Sequence, residues 1–373
     1  MRYYIIAGEA SGDLHGSNLV REMKALDAGN EFRGWGGDLM HDAGVEIVKH
    51  FRDLAFMGFI EVVKNLPTIL KNLSFCKQDI LKFRPDIIIL IDYPGFNLRI
   101  AEWARQQQFR IVYYISPQVW AWKESRVKKI RQHVDKMLVI LPFEKQFYQK
   151  WNYEVEYVGH PLVGVIEKYK QNGNKTPLSD KPIIALLPGS RKQEILVKLP
   201  VMLALAGRFP DYQFIVAQAP GQENEFYKEL LKNYQNVSGV TNETYRLLSQ
   251  ASAALVTSGT ATLETALFGV PEVVCYKGSK ISYEIAKRLI KIKYISLVNL
   301  IMDKEVVKEL IQDEMNEKNL ETELTKLLKN PIKQQELQRD YAALKQLLSE
   351  GGDASKNAAE LILGFAKNKA IVS

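Results

Sequence analysis

Short apolar runs alternate with amphipathic stretches in the first part of the chain. The runs predict strands at 3–7, 86–91, 110–115, 136–140 and 154–158. Helical spacing appears between several of them, for example over 17–25 and 96–107. Strand and helix in alternation favour a parallel sheet that is covered by helices on both faces.

A second alternating series follows a polar stretch at 166–181, whose Asn, Gly, Pro, Ser and Lys residues predict a linker or exposed loop. Its predicted strands are 182–187, 213–217, 253–256 and 272–276, with helices at 243–250 and 262–267. The sequence therefore predicts an α/β protein with two doubly wound, Rossmann-like domains facing across a cleft.

The predicted domains are 1–170 and 171–345. A mostly helical tail begins near Glu317, and its last part, 346–373, is expected to pack back on the N-terminal domain or to swap between subunits. Asp353 or Ser355 can cap the last helix after the break at Gly351 and Gly352.

Composition narrows the class of protein. The chain has 373 residues, 46% of them hydrophobic, and a formal net charge of +7. That charge is compatible with nucleic acid, an anionic membrane, a phosphorylated substrate or a solvated lysine-rich surface. Two distant cysteines indicate neither a disulfide framework nor a metal site, and Met1 leads straight into a predicted strand. We therefore expect a reducing cytoplasm and no signal peptide.

The first predicted loop has the sequence GEASGDLHG, which spaces its glycines as G-x-x-x-G-x-x-x-G. The dinucleotide fingerprint is G-x-G-x-x-G, and an acidic loop is a poor cradle for pyrophosphate. Spacing and charge leave the ligand of this loop open; the family resemblance described below implies that the loop lines the acceptor side and binds sugar hydroxyls. The candidate residues are Glu9, Ser11, Gly12, Asp13 and His15.

Two loops of the second series suit a nucleoside diphosphate. In LPGSRKQEI, Gly189, Ser190 and Arg191 stand where a helix begins, so backbone N–H groups and a guanidinium can meet a phosphate. In TSGTATLE, Ser258, Gly259 and Thr260 open another helix. Glu264 follows about one turn later, where it can accept hydrogen bonds from a ribose. Taken singly, each loop also fits an ordinary turn or helix cap.

A carboxylate follows a strand in the first series. In IDYPGFN, Asp92 projects from the carboxyl end of the predicted strand, Pro94 and Gly95 turn the chain, and Asn97 can cap the next helix. A carboxylate in a cleft can act as general base when a hydroxyl lies within hydrogen-bond reach. A loop aspartate satisfied by backbone N–H groups is the alternative.

The segment 54–70 is strongly apolar. Its candidate membrane or acyl-chain contacts are Phe56, Met57, Phe59, Ile60 and Val63, and a buried helix is the alternative. The sequence contains neither D-x-D nor G-x-x-x-x-G-K-[ST], and its histidines lack metal-ligand spacing. We therefore expect no metal and no cofactor.

Several of these strings occur together in a fixed order. They are GEASGDLHG, FMGFIEVVKNLP, IDYPGFN, SPQVWAWKESRV, LPFEKQFY, VGHPL, LPGSRKQEI, SGTATLE and YISLVNLI. The set resembles the lipid A disaccharide synthases, a family of bacterial glycosyltransferases, from Met1 to about Leu320. GSR and SGTATLE recur in part in other glycosyltransferases of two domains, whereas GEASGDLHG and SPQVWAWK are distinctive of this family.

The resemblance implies a GT-B fold and transfer of a 2,3-diacylglucosamine from UDP to the 6-hydroxyl of 2,3-diacylglucosamine 1-phosphate (lipid X), with inversion. It implies a UDP-dependent, metal-independent hexosyltransferase of lipid A (lipopolysaccharide) biosynthesis in Gram-negative bacteria. The implied location is peripheral, on the anionic cytoplasmic face of the inner membrane. Nucleic acid is not an expected partner, and a homodimer is an open alternative.

The same resemblance assigns roles to residues. Asp92 matches the general base, and Arg191 in GSR matches the arginine at the UDP diphosphate. Ser258, Gly259, Thr260 and Glu264 match the donor-nucleotide loop, and Asn299 matches an asparagine near the donor.

This sequence departs from the family pattern at two positions. Val298 stands where many members have proline, which makes the backbone beside Asn299 less certain. Gly95 stands where some members have aspartate, so catalysis here cannot depend on a second carboxylate at that point.

Two other functions compete with the lipid glycosyltransferase. One is a UDP-N-acetylglucosamine epimerase, or another GT-B enzyme, acting on a soluble UDP-sugar. The apolar segment 54–70 argues against it. The other is a non-catalytic lipid-binding protein, against which the set of Asp92, Arg191 and Glu264 argues.

Overall fold

The structure, a computed structural model, describes residues 1–54, 66–122, 124–219, 221–278 and 292–367. The chain divides into two compact units. Unit 1 comprises Met1–Pro161 together with Ser349–Ser373, and unit 2 comprises Leu162–Leu348. The sequence had placed the boundaries after residues 170 and 345.

Unit 1 is built on a sheet whose seven described strands are all parallel, in the order β3-β2-β1-β4-β5-β6-β7. Its strands are β1 (Arg2–Ala7), β2 (Glu31–Gly36), β3 (Glu46–His50), β4 (Ile87–Ile91), β5 (Arg110–Tyr114), β6 (Lys136–Val139) and β7 (Glu156–Tyr157). The order reverses between β1 and β4, which makes that pair the topological switch point, where α/β sheets bind ligands.

Helices connect the strands of unit 1 over the described residues. They are α1 (Ala10–Leu26), α2 (Asp38–Asp42), α3 (Leu66–Phe83), α4 (Pro94–Gln106), α5 (Val119–Trp122), α6 (Arg126–His133) and α7 (Pro142–Gln149), with a 3-10 turn at Phe51–Leu54. The strands β1 and β4 are buried almost throughout, as expected for a sheet that is covered on both faces.

Unit 2 repeats this plan with six described parallel strands in the order β10-β9-β8-β11-β12-β13. These are β8 (Ile183–Leu187), β9 (Gln213–Gln218), β10 (Val237–Thr241), β11 (Ala251–Thr257), β12 (Glu272–Tyr276) and β13 (Lys308–Ile311). Here the order reverses between β8 and β11. The prediction of two doubly wound parallel sheets is confirmed.

The strands of unit 2 are also connected by helices. They are α8 (Pro161–Asn172), α9 (Lys192–Leu203), α10 (Asn224–Leu231), α11 (Thr244–Leu248), α12 (Thr260–Phe268), α13 (Leu297–Met302), α14 (Glu317–Lys329) and α15 (Pro331–Ser349), with 3-10 turns at Ala206–Arg208 and Gln312–Glu314. The predicted linker at 166–181 was partly wrong, because α8 continues to Asn172 before the irregular segment begins.

A final helix, α16 (Ala354–Lys367), returns the chain to unit 1, where it packs against α1. The backbone N–H groups of Ser355 and Lys356 both donate to the Asp353 carboxylate at 3.0 Å, so Asp353 caps this helix as predicted. Asn357 donates to the Val158 carbonyl at 3.1 Å and ties the start of α16 to the sheet.

Helix α3 is anchored to the sheet through a buried carboxylate. Arg33 donates to both oxygens of Asp79, at 2.7 and 3.0 Å, and the Tyr4 hydroxyl donates to the same carboxylate at 2.8 Å. Such a bidentate pair also fixes orientation. It therefore sets which face of α3 is turned outward. None of the described helices has the combination of length and hydropathy that crossing a bilayer requires.

Close approach of β1 and β2 depends on Gly34. Ile5 is its partner across the ladder, and a Cβ at residue 34 would overlap the Ile5 carbonyl oxygen. We expect Gly34→Ala to destabilise the protein by roughly 3 kcal/mol or more, because backbone cannot move aside as a flexible side chain can. Denaturant unfolding measures this. Gly364→Ala in α16, where a Cβ meets nothing within 4 Å, is the matched control and should be neutral or stabilising. Equal stability of the two variants would contradict the prediction.

Candidate active site

In unit 1 the switch point places Asp92 beside the first loop. Ala7 and Ile91 are partners at the carboxyl ends of β1 and β4, so Gly8 and Asp92 leave the sheet side by side. A Cβ on Gly8 would overlap the Tyr93 ring, so only glycine fits there.

The backbone at Asp92 is strained, and side-chain hydrogen bonds to its carbonyl oxygen hold it in place. Asp92 and Tyr93 both have positive φ, +42° and +49°, which side chains other than glycine rarely adopt. The Asp92 carbonyl accepts hydrogen bonds from Asn97 Nδ2 at 2.8 Å and from the Tyr113 hydroxyl at 2.5 Å. Asn97 therefore does not cap α4 as expected, since it donates to the carbonyls of the strand end and so fixes the Asp92 backbone.

The pKa of the Asp92 carboxyl is shifted toward neutral pH. Burial raises its pKa to about 7, and the negative charge of Glu9 adds to the rise. Glu9 is the N-cap residue of α1 and is half-buried. A carboxylate with a pKa near the working pH is well suited to accept a proton from a hydroxyl.

The expected sugar-binding loop is mostly helix. Helix α1 begins at Ala10, earlier than predicted, and takes Gly12 and Gly16 into its first turns. A Cβ on Gly12 would lie 3.1 Å from the Ala7 side chain, and one on Gly16 would lie 2.7 Å from Met40 Sδ. These glycines bring the helix close to the sheet and to α2. This corrects the expectation that Gly12 serves a ligand.

Asp13 is also used structurally. Its buried carboxylate accepts hydrogen bonds from the backbone N–H groups of Gly37, Leu39 and Met40, at 2.7–3.1 Å. These are the free N–H groups at the start of α2, so Asp13 caps that helix from a distance in sequence. The interpretation of Asp13 as a sugar ligand is therefore corrected.

The remaining candidates of this loop lie at its open side or beneath it. Ser11 is exposed in the first turn of α1. His15 is buried, and its Nδ1 has no hydrogen-bond partner among the described residues. Burial lowers the pKa of His15 to about 4 and that of His160, which is affected by His15 as well, to about 3. Both imidazoles are therefore neutral near pH 7.

In unit 2 the switch point brings the two predicted donor loops together. Leu187 and Val256 are partners near the carboxyl ends of β8 and β11. Gly189 turns the first loop with φ +109°, and Arg191 is the N-cap of α9 with a largely exposed side chain. Ser190 is exposed beside it.

The second donor loop presents a helix N-terminus. Gly259 is the N-cap of α12, and both Gly259 and Thr260 are exposed. The Ser258 hydroxyl donates to the Ile295 carbonyl at 2.8 Å and so ties this loop to the segment before α13. Two helix N-termini, those of α9 and α12, thus start from adjacent strand ends, and helix N-termini favour anions.

Glu264 lies one turn into α12. Burial raises its pKa to about 7. Burial and the charge of Glu264 together raise the pKa of Tyr245. Tyr245 also lines a cavity of about 500 Å³ at this end of the sheet, with Gln218, Asn242 and Arg246 among its walls. Sequence reasoning had missed this cavity, because its walls come from three separate segments, 169–174, 218 and 242–246.

Asn299 has no capacity left for a ligand. Its amide nitrogen donates to Val307 O and to a Glu309 carboxylate oxygen, both at 2.9 Å. Its amide oxygen accepts from the N–H groups of Val306 and Val307 at 2.8 and 3.0 Å. All four positions of the buried amide are used. The expectation that Asn299 contacts the donor is corrected to a structural role.

Glu309 completes this support and was missed from the sequence. Its carboxylate accepts hydrogen bonds from the backbone N–H groups of Ile295 and Ser296, at 2.9–3.2 Å. Asn299 and Glu309 together therefore fix the loop on which the Ser258 hydroxyl rests.

The apolar candidates Phe56, Met57, Phe59, Ile60 and Val63 lie outside the described residues. Over the residues that the structure does describe, no group of three or more His, Cys, Asp or Glu side chains is arranged to hold a metal ion.

Comparison with known proteins identifies the family. The model of the lipid-A-disaccharide synthetase family matches residues 3–363. A lipid-A-disaccharide synthase of Geobacter metallireducens is 38% identical over 99% of this chain and 98% of its own length. One from Syntrophus aciditrophicus is 39% identical over 97% of both chains.

This chain belongs to the lipid-A-disaccharide synthetase family.

The predicted glycosyltransferase of lipid A biosynthesis is thereby confirmed. Solved structures of low sequence identity share the fold of this synthetase. The glycosyltransferase of kitacinnamycin aligns with a TM-score of 0.69 at 14% identity, over 97% of this chain and 98% of its own. A UDP-GlcNAc 2-epimerase of Neisseria meningitidis gives 0.69 at 13% identity, over 98% and 100%. The predicted GT-B fold is confirmed, and the epimerase is related in fold alone.

The raised pKa of Asp92 has a consequence for stability. Because the folded-state pKa of about 7 lies above the unfolded value of about 3.9, the charged carboxylate costs stability as pH rises between these values. Asp92→Asn removes this cost. We expect the variant to gain stability over the wild type from pH 4 to pH 7, reaching about 4 kcal/mol, and then to hold that difference. Thermal unfolding across this pH range measures it.

Asp180→Asn, at an exposed position, is the matched control for the amide replacement. A stability difference between Asp92→Asn and the wild type that does not change with pH would contradict the prediction.

Proposed function

We propose that this synthetase transfers a 2,3-diacylglucosamine from UDP to the 6-hydroxyl of 2,3-diacylglucosamine 1-phosphate, with inversion at the anomeric carbon. The observation that carries the proposal is the Asp92 carboxyl, raised to a pKa of about 7 at the switch point of unit 1. An inverting transfer needs one base and one in-line displacement, so a single tuned carboxylate is sufficient.

Unit 1 would hold the acceptor. Asp92 takes the proton of the acceptor's 6-hydroxyl while the oxygen of that hydroxyl forms the new bond to the anomeric carbon. Glu9, Ser11 and His15 follow the neighbouring strand β1 and offer groups to the sugar, whereas Asp13 and Gly12 serve the fold. The strained backbone at Asp92, held by Asn97 and Tyr113, keeps the carboxylate at the strand end.

Unit 2 would hold the UDP. As the bond to the sugar breaks, negative charge grows on the β-phosphate, and the N-termini of α9 and α12 with Arg191 stabilise it. Glu264 would accept hydrogen bonds from the ribose, and the cavity lined by Tyr245 would take the base. Proton transfer and leaving-group stabilisation are thereby assigned to different units.

The synthetase would act at the anionic cytoplasmic surface of the inner membrane, because both of its substrates carry acyl chains. Support comes from α3, which exposes three large apolar side chains, Leu70 (56%), Phe75 (43%) and Leu81 (45%). Lys71 and Lys82 are exposed on the same helix. Apolar groups interleaved with lysines are typical of helices that lie on anionic lipid.

The function is tested by turnover. Asp92→Asn should lower disaccharide formation from UDP-diacylglucosamine and lipid X by about 10³-fold or more, because the base is lost. The dissociation constant for UDP should stay within about twofold of the wild type, since Asp92 lies in the acceptor unit. Product chromatography and calorimetric titration measure the two quantities. Near-normal turnover in Asp92→Asn would remove Asp92 as the base.

Membrane contact is tested on the outer face of α3. The triple variant Leu70→Ser, Phe75→Ser and Leu81→Ser should lose about fivefold or more of its co-sedimentation with phosphatidylglycerol vesicles. Its melting temperature should change little, because all three side chains are exposed. Ile332→Ser on α15, 70% exposed, is the matched control and should bind vesicles as the wild type does. Unchanged co-sedimentation of the triple variant would exclude this face as the contact.

A further inference from the structure

A lysine is buried directly beneath the donor loops. Lys198 lies on α9, and its residue is only 3% exposed. Its ammonium contacts the hydroxyl of Thr257, the last residue of β11, and lies 3.7 Å from Glu194 Oε2. Burial lowers the pKa of Lys198, and the charge of Glu194 opposes that effect. Sequence motifs did not single it out, because it stands outside the GSR loop.

Glu194 is shared between two cations. One of its oxygens, Oε1, accepts a hydrogen bond from Arg191 Nη1 at 3.2 Å, and the other faces Lys198. A Cβ on Gly189 would lie 2.6 Å from Oε2, so this carboxylate also rests against the turn of the loop. The arrangement is a chain of contacts from Arg191 through Glu194 and Lys198 to Thr257.

The chain of contacts sets the charge that a diphosphate meets. With Lys198 present, the two cations and one carboxylate sum to a single positive charge. Without Lys198, the charges of Arg191 and Glu194 cancel. Arg191 is then the cation of this chain of contacts that balances the Glu194 carboxylate. An incoming phosphate competes with Glu194 for that guanidinium, since both are oxygen anions that accept from it.

We propose that Lys198 is a positioning residue for the donor diphosphate: it balances the charge of Glu194, so that the Arg191 guanidinium is available to the phosphates, and it holds Thr257 at the base of the second donor loop. The inference rests on the proposed binding of UDP at these loops. It adds a residue that touches no substrate and acts through Glu194 and Thr257.

The test compares UDP with uridine on the full chain by calorimetric titration. Lys198→Met should raise the dissociation constant for UDP about tenfold and leave that for uridine unchanged, because only UDP carries the phosphates. Adding Glu194→Gln to Lys198→Met should bring UDP binding back to within about threefold of the wild type, since residue 194 then no longer competes with the phosphates as a carboxylate. A purely structural lysine would not be rescued by that second change.

Two further variants separate the possible failures. Lys170→Met removes another partly buried lysine of unit 2, one that donates to the Leu267 carbonyl, and should leave UDP binding unaltered. Arg191→Ala should weaken UDP binding by itself. If Arg191→Ala weakens UDP binding but Lys198→Met does not, the role of Lys198 is overturned while the donor site stands. If neither weakens it, UDP does not bind at these loops, and the donor assignment itself fails.

A second substitution at residue 198 serves as the test if Lys198→Met prevents folding. If Lys198→Met lowers the melting temperature markedly, Lys198→Gln, which keeps a donor for Thr257 and loses the charge, takes its place with the same expected tenfold effect. Equal losses of UDP and uridine binding in Lys198→Gln would overturn the proposal, because charge balance acts on the phosphates alone.

Discussion

Parallel pairing of two strands in each unit is the constraint on which the site depends. Inter-strand hydrogen bonds hold β1 level with β4, and β8 level with β11, so that their carboxyl ends finish at the same height. The next residues along the chain leave the sheet as neighbours, although they are far apart in sequence. Glu9 and Asp92 meet in unit 1 for this reason, as do the GSR and SGT loops in unit 2. A slip of register in either pair would separate them.

The dry interior of each sheet shapes the charges at its edge. Desolvation raises the pKa of both Asp92 and Glu264 to about 7, and it lowers the pKa of Lys198. Burial thus shifts the pKa values of the two acids upward and the pKa of the lysine downward. In unit 1 the shifted pKa of Asp92 lies next to strained backbone at Asp92 and Tyr93. Backbone strain and shifted pKa values that occur together at one edge of a sheet are typical of functional sites.

Much of this organisation is predictable from local sequence, and the remainder depends on tertiary contact. Apolar runs such as IIILI at β4 and IIALL at β8 identify the central strands. The edge and neighbouring strands β2, β3, β10 and β13 were missed, because EFRGWG, EIVKH, VSGVT and KELI lack a continuous apolar run.

The same division holds for the site. The loops carrying Asp92 and Arg191 follow strands and were found. Asp13, Asn299, Lys198 and Glu309 take their roles from partners that are distant in sequence or in other elements, and no local pattern contains that information. Asp13 looked like a ligand because it lies in a glycine-rich loop, and Asn299 because the family resemblance placed it near the donor. In the structure the Asp13 carboxylate and the Asn299 amide oxygen both accept hydrogen bonds from backbone N–H groups.

Because α16 belongs to unit 1 while all of unit 2 lies between it and β7, unit 1 is discontinuous in sequence. During synthesis the first sheet emerges from the ribosome long before the helix that packs on α1 exists. Until α16 has been synthesised, the surface of α1 on which it packs stays uncovered, while unit 2 can already complete itself. The unit inserted in the sequence is therefore able to fold before the unit whose two segments flank it along the chain.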